Sequence, residues 1–187
     1  MAVWFWYILL YGFLGYLLEK SFAYATKSSR RVRKCFLLLP VCPVYGLAMA
    51  AVLLLVPPER GFLSLAITGG LVCTGVEYLV HWFYDRFFST RFWDYSQMHS
   101  HIRGRVCPQF TFAWGLLSAA AVRWIHPGLS RLAAGIPASV TYGVWLLTAL
   151  DCVLTAALLL QYHDTELLTL RAAAAQVRAS SQSSTSR

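Results

Sequence analysis

LVCTGVEYLVHWFYDR, residues 71–86, is apolar enough to lie in a membrane yet carries Glu77, His81 and Asp85 at intervals of four. An α-helix turns once every 3.6 residues, so this spacing predicts three ionisable groups in a column along one helical face. Hydrocarbon does not solvate such a column, so the face that bears it must turn toward other helices or toward water.

The rest of the chain places that helix in a membrane. Of its 187 residues, 58% are hydrophobic and 13% charged, and the mean hydropathy is +0.54, whereas soluble domains carry about a quarter of their residues as charges. Five apolar runs, 3–24, 36–56, 62–83, 104–125 and 138–160, approach or reach the length of about 20 residues that crosses a hydrocarbon core. Because a helix satisfies its own backbone polar groups where water is absent, the predicted fold is an all-α integral membrane protein, a five-helix transmembrane bundle over 1–160. The remaining 161–187 read as a cytoplasmic tail, a short helix followed by SSQSSTSR, a disordered stretch with nothing to bury. The first run has no basic n-region and no clear cleavage site, and is read as a retained helix.

The net charge of +8 is distributed in alternate loops rather than in a nucleic-acid-binding patch. With the N-terminus outside, thirteen Lys and Arg residues fall on the inner side and only Arg60, Arg123 and Arg131 outside. That asymmetry predicts N-terminus out and C-terminus in. Membrane lipids are then the expected surroundings, and nucleic acid is not an expected partner. Of the five cysteines, three lie near the reducing inner face, so structural disulfides are not expected. No close CxxC pair occurs, so neither a metal site nor a cofactor is assigned.

Two halves of the chain resemble each other. LLLPVCPVYG opens the second run and RGRVCPQFTFAWG the fourth, each with Val-Cys-Pro two residues before an aromatic, after a basic loop and a helix bearing a glycine and an acid, Gly15 and Glu19 or Gly75 and Glu77. The order suggests a 2+2 parallel repeat with one added helix. Proline suits a first helical turn and breaks a helix interior, so the helices are expected to begin at Pro43 and Pro108 and to be too short to span alone. Unwound backbone would then precede each, near Cys42 and Cys107, and is tolerated at that depth only where protein or a water-filled cavity covers it.

GFLGYLLEK (12–20), PVCPVYG (40–46), Glu77-Tyr78, WDYS (93–96), GRVCPQFTFAWG (104–115) and Asp151 together resemble the type IV ABC-transporter permease family, also called CmpB-like. The likeness runs through most of 1–160. It departs at Leu39, where the family tends to have glycine, and at MHSHIR before Gly104, where an asparagine-containing stretch is expected. The resemblance implies a small multi-pass protein of a bacterial cell membrane, acting as a permease.

Several polar residues fall where escape to water is difficult. Glu77 and Asp151 lie well inside their runs, where a charge facing lipid costs about 2.5–3.5 kcal/mol on insertion scales, so both are expected to face the interior. His81 is expected to hydrogen-bond Glu77, lining a polar path. Alternatively, Glu77 pairs with an inner-loop arginine such as Arg105 and merely ties helices together. Glu19, beside Lys20, either joins the cavity or snorkels. Cys42 and Cys107 at helix starts are either activated thiols or small packing residues, and the second reading is favoured. Tyr45 and Trp114 follow the Cys-Pro breaks and complete the cavity-lining set with Arg105, which alternatively holds an anion or a lipid headgroup. The motif loop Trp93, Asp94, Tyr95, Ser96 places aromatics at the interface, with Asp94 available to Arg103 or Arg105. Metal ligation by Glu77, His81 and Asp85 is not assigned, since one helix offers only neighbouring turns.

The leading functional reading is a permease subunit with a polar inner-facing cavity. No GxxxxGK[ST] phosphate loop occurs, so an ATPase would be a separate subunit. The chain is also short for a complete carrier, which points to that partner or to a homodimer. The alternatives are a membrane-embedded enzyme acting on a lipid or isoprenoid, with Glu77 or His81 as general base and Arg105 holding phosphate, and a noncatalytic membrane assembly protein.

Overall fold

Proline sets where two of the helices begin. In the computed structural model, which describes residues 2–26 and 35–163, α1 spans Ala2–Ala25, α2 Pro43–Leu55, α3 Phe62–Phe88 and α4 Pro108–Ala120. A π-helical turn, Ala121–Ile125, leads into α5, His126–Ala134, and α6 is Ala138–Tyr162. No strand occurs among the described residues. The expected tail lies outside them beyond His163, as does the basic stretch 27–34.

Three helices, α1, α3 and α6, are long and apolar enough to cross a membrane. Their outward faces carry large apolar side chains such as Leu63, Leu71, Trp145 and Leu146, a surface that water would penalise and lipid would not. The chain is a membrane protein on this evidence.

The second run is helical only from Pro43, where its start is expected, and its 13 residues rise about 20 Å, short of a core of about 30 Å. Residues 36–42 ahead of it are non-helical. The fourth begins at Pro108 and does not stop at Ile125, because the π turn carries it into α5. Pro127 cannot donate an N–H, and its ring would collide with the carbonyl four residues earlier in a regular helix. The wider turn, in which the His126 N–H bonds the Ala121 carbonyl five residues back, accommodates the proline without ending the helix.

Small residues let the helices pair. A Cβ at Gly46 of α2 would strike the Ile8 carbonyl of α1, and one at Gly115 of α4 would strike the Ala66 carbonyl of α3. The contacts run in opposite senses along each pair, so α1 with α2 and α3 with α4 are antiparallel. The long helices share one direction: Trp6 Nε1–H donates to Thr141 Oγ1 at 3.0 Å near the starts of α1 and α6, and His163 Nδ1 meets the Phe88 carbonyl at 2.9 Å at the ends of α6 and α3. One apolar core gathers Tyr11, Met49, Val52, Leu65, Ala119 and Val122. A second, at the other end, packs Tyr84, Phe88, Phe92 and Leu159 around Phe36.

Candidate functional site

The buried stripe of α3 includes Leu65, Gly69, Cys73, Glu77, His81, Tyr84 and Phe88, so the ionisable column of the sequence does face the interior at its first two positions. Each member meets a different partner. Glu77 is 6% exposed. Its Oε1 accepts the Tyr95 hydroxyl at 2.9 Å and its Oε2 the Trp114 indole N–H at 3.0 Å. Both donors are neutral, and no cation pairs with Glu77 among the described residues.

The expected Glu77–His81 bond is replaced by these. His81 instead meets the Trp93 carbonyl through Nε2 at 3.0 Å, where the carbonyl can only accept, leaving Nδ1 buried and without a partner among the described residues. Arg105 does not reach Glu77 either. Its guanidinium contacts Asp85 at 3.1 Å and the Tyr78 hydroxyl at 3.2 Å, while Arg91 takes the other Asp85 oxygen at 3.2 Å. Side chains one turn apart on one helix lie parallel, and donors arriving from α4 and from the loop point straight at the carboxylate.

That loop is folded by its own backbone. Tyr95 N–H donates to the Gly104 carbonyl at 2.8 Å, Ile102 N–H to Val106 at 2.9 Å and Arg105 N–H to Ile102 at 3.0 Å. Trp93 Nε1–H reaches the Arg105 carbonyl at 3.0 Å. Asp94 is not paired with Arg103 or Arg105; it accepts the Ser96 N–H at 2.9 Å, which holds its carboxyl below the usual carboxylate range. Burial, and then the Glu77 carboxylate, push the Tyr95 phenol far above its ordinary value, so Tyr95 stays a donor. Its ring stacks on Phe110 at 4.8 Å.

A second carboxylate joins the first through aromatic rings. Tyr45 lies over Gly15 of α1 and donates its hydroxyl to Glu19 Oε1 at 2.6 Å. The Tyr45 and Trp114 rings meet edge to face at 5.5 Å. The sequence Glu19, Tyr45, Trp114, Glu77, Tyr95 is thus one contiguous network, with an acid from α1 and an acid from α3, each accepting from an aromatic of the helix after a Cys-Pro break.

Asp151 does a different task. Although 6% exposed in α6, it accepts the backbone N–H of Leu38 at 3.1 Å, that of Leu39 at 2.9 Å and the Thr155 hydroxyl at 3.2 Å. The unwound backbone expected before Pro43 is therefore held by a carboxylate from another helix. Cys42 and Cys107 both sit at helix starts in extended conformation. Cys107 is a buried free thiol whose Sγ lies 3.8 Å from Met98 Sδ. Cys42 is joined to Cys35 by a disulfide, Cα to Cα 4.9 Å, which corrects the expectation of no structural disulfide: the bent segment 36–41 returns its two ends to bonding distance.

Between the loop and α2 lies a recess of about 30 Å³ whose lining includes Glu19, Cys42, Tyr45, Tyr84 and Trp93. It has room for about one water molecule and not for an organic substrate. Glu77, His81, Arg105, Cys107, Trp114 and Asp151 lie outside it. No group of three or more His, Cys, Asp and Glu able to hold a metal occurs among the described residues.

The partners of Glu77 were individually visible in the sequence but not as partners. Thr74 of α3 bonds Thr111 of α4 at 2.9 Å, but on antiparallel helices equal steps along the sequence run in opposite directions, so residue spacing alone does not pair Glu77 with Trp114.

Compared with known proteins, residues 6–158 match the family described as Putative ABC-transporter type IV. No curated protein and no solved structure matches the chain.

Proposed function

The chain belongs to the Putative ABC-transporter type IV family, and from that premise we propose that it is the membrane-embedded permease subunit of a transporter driven by a separate ATPase. In this reading it crosses a bacterial plasma membrane five times, with the N-terminus out and the C-terminus in. The carrying observation is the network in which Glu19 and Glu77 are joined through Tyr45 and Trp114. Polar side chains retained in the interior of apolar helices are costly, and they mark pathways or pairings. Here each acid is held by the helix that begins at a proline break, so a change in tilt or register at either break alters the setting of both carboxylates.

The antiparallel pairs α1–α2 and α3–α4 support the parallel repeat, with α6 as the added helix whose Asp151 anchors the first break. A continuous path from Pro108 through the π turn supports a full fourth crossing. The small recess, bordered by Tyr45 and Trp93, fits a closed state of the pathway. Arg105, which a lipid-phosphate enzyme would need free, is engaged by Asp85 and Tyr78, and this favours the permease reading.

The test is to purify the full chain from its native membranes in mild detergent and assay vanadate-sensitive ATP hydrolysis. The permease reading expects an ATPase subunit to co-purify in fixed ratio and to hydrolyse ATP. A homogeneous preparation with neither ATPase subunit nor ATP hydrolysis, from cells in which the chain is abundant, would overturn it.

A further inference from the structure

Tyr7, Tyr11, Gly15 and Glu19 recur every four residues and so share one face of α1. The phenol of Tyr45 occupies the place that a side chain at Gly15 would take and bonds Glu19. A column of hydroxyl-bearing rings therefore climbs α1 from the carboxylate, with Tyr11 about 12 Å from Glu19 along the axis.

The upper part of that column ends on unsatisfied groups. Tyr11 is 4% exposed, and its hydroxyl has no hydrogen-bond partner among the described residues; neither has Nδ1 of His126, which is equally buried at that atom. The two rings are stacked, with centroids 6.3 Å apart and planes inclined by 19°. Tyr7 meets the same imidazole edge-on at 4.9 Å. His126 is the residue on which the π turn closes. One π turn adds a residue to the helical count and rotates all that follows by about 100°, so this turn helps fix the direction in which the imidazole faces.

A buried phenol and a buried imidazole nitrogen require partners. The pair is chemically complementary, yet the groups do not bond each other, so a small molecule that both accepts and donates would satisfy them together. We propose that Tyr11 and His126 form a hydration site in which one water molecule bridges the phenol oxygen to Nδ1, extending the polar face of α1 from Glu19 past the middle of the helix. Water is the smallest molecule with both functions, and it needs two to four polar partners to stay in a buried position. The inference stands apart from the permease reading, since it requires only the local geometry.

A double-substitution cycle tests it. Tyr11→Phe and His126→Phe both keep an aromatic ring in the stack while removing a bridging group. With a shared water, either change strands the opposite partner and lowers the melting temperature of the full-length protein in detergent, and the double variant loses less than the sum of the two. A rise in melting temperature for Tyr11→Phe, or strictly additive losses, would overturn the site. Hydration is then read directly by X-ray radiolytic footprinting of the unaltered protein, in which radicals formed from a bound water oxidise the ring beside it. Tyr11 is expected to be modified despite its 4% exposure; an unmodified Tyr11 alongside a modified Tyr24, which is 88% exposed, would overturn the assignment to water even where the cycle shows coupling.

Discussion

The carboxylate of Asp151, in the middle of α6, accepts the backbone N–H of Leu39, 112 residues earlier in the chain, at 2.9 Å. It accepts Leu38 N–H as well, at 3.1 Å, and so supplies the acceptors that an unwound segment inside an apolar bundle lacks. Asp151→Leu removes both, and hydrogen bonds to a charged group contribute about 1.5–3 kcal/mol each. Asp151→Asn keeps one acceptor and is expected to lose roughly half as much. Thermal unfolding in detergent measures both; a Leu variant as stable as the parent would refute the anchoring role.

Around Glu77 the order of stabilities follows from donor and acceptor counts. Tyr95→Phe and Trp114→Phe each remove one donor and leave a carboxylate oxygen buried without a partner, a loss of about 1–3 kcal/mol. Glu77→Gln is predicted to cost less than about 1 kcal/mol, because its carbonyl faces the donor-only Trp114 while its amide donates to Tyr95, whose hydroxyl turns from donor to acceptor. Denaturation midpoints that placed Glu77→Gln below Tyr95→Phe would contradict the network.

Cysteine chemistry gives a direct count. Protein purified without reductant, denatured and alkylated is expected to take label at the three thiols Cys73, Cys107 and Cys152, and at all five cysteines after reduction. Label on Cys35 or Cys42 before reduction would show that the pair is open.

The charge asymmetry predicts an inner C-terminus. Reporters fused to the C-terminus are expected to act in the cytoplasm, and a reporter active only outside the cell would reverse the arrangement or remove a crossing.

Much of this architecture was legible residue by residue. The apolar runs located α1, α3 and α6, because crossing length is a property of composition, and Pro43 and Pro108 located the starts of α2 and α4, because proline acts on its own backbone. Glu77 and Asp151 were correctly turned inward by the cost of facing lipid. What each then touches depends on chain returning from far away: Trp114 and Tyr95 reach Glu77, while the i+4 neighbour His81 does not. The end of the fourth run, expected at Ile125, was not legible from apolar length, since the π turn lets the helix pass Pro127. The bond between Cys35 and Cys42 depends on the bend between them, which local spacing does not encode. Of the residues expected to line a polar cavity, Glu19, Cys42 and Tyr45 border the recess of about 30 Å³, and the others do not.

In the permease reading, Glu77 serves transport and does not merely join helices. That role is tested most directly by the ATP turnover of the complex isolated with its ATPase, compared between the parent and Glu77→Gln. The account predicts equal yield and a melting temperature close to the parent's, with turnover lowered about tenfold or more, equivalent to at least 1.4 kcal/mol on the barrier. Turnover at the parent's rate from the stable Gln variant would contradict it.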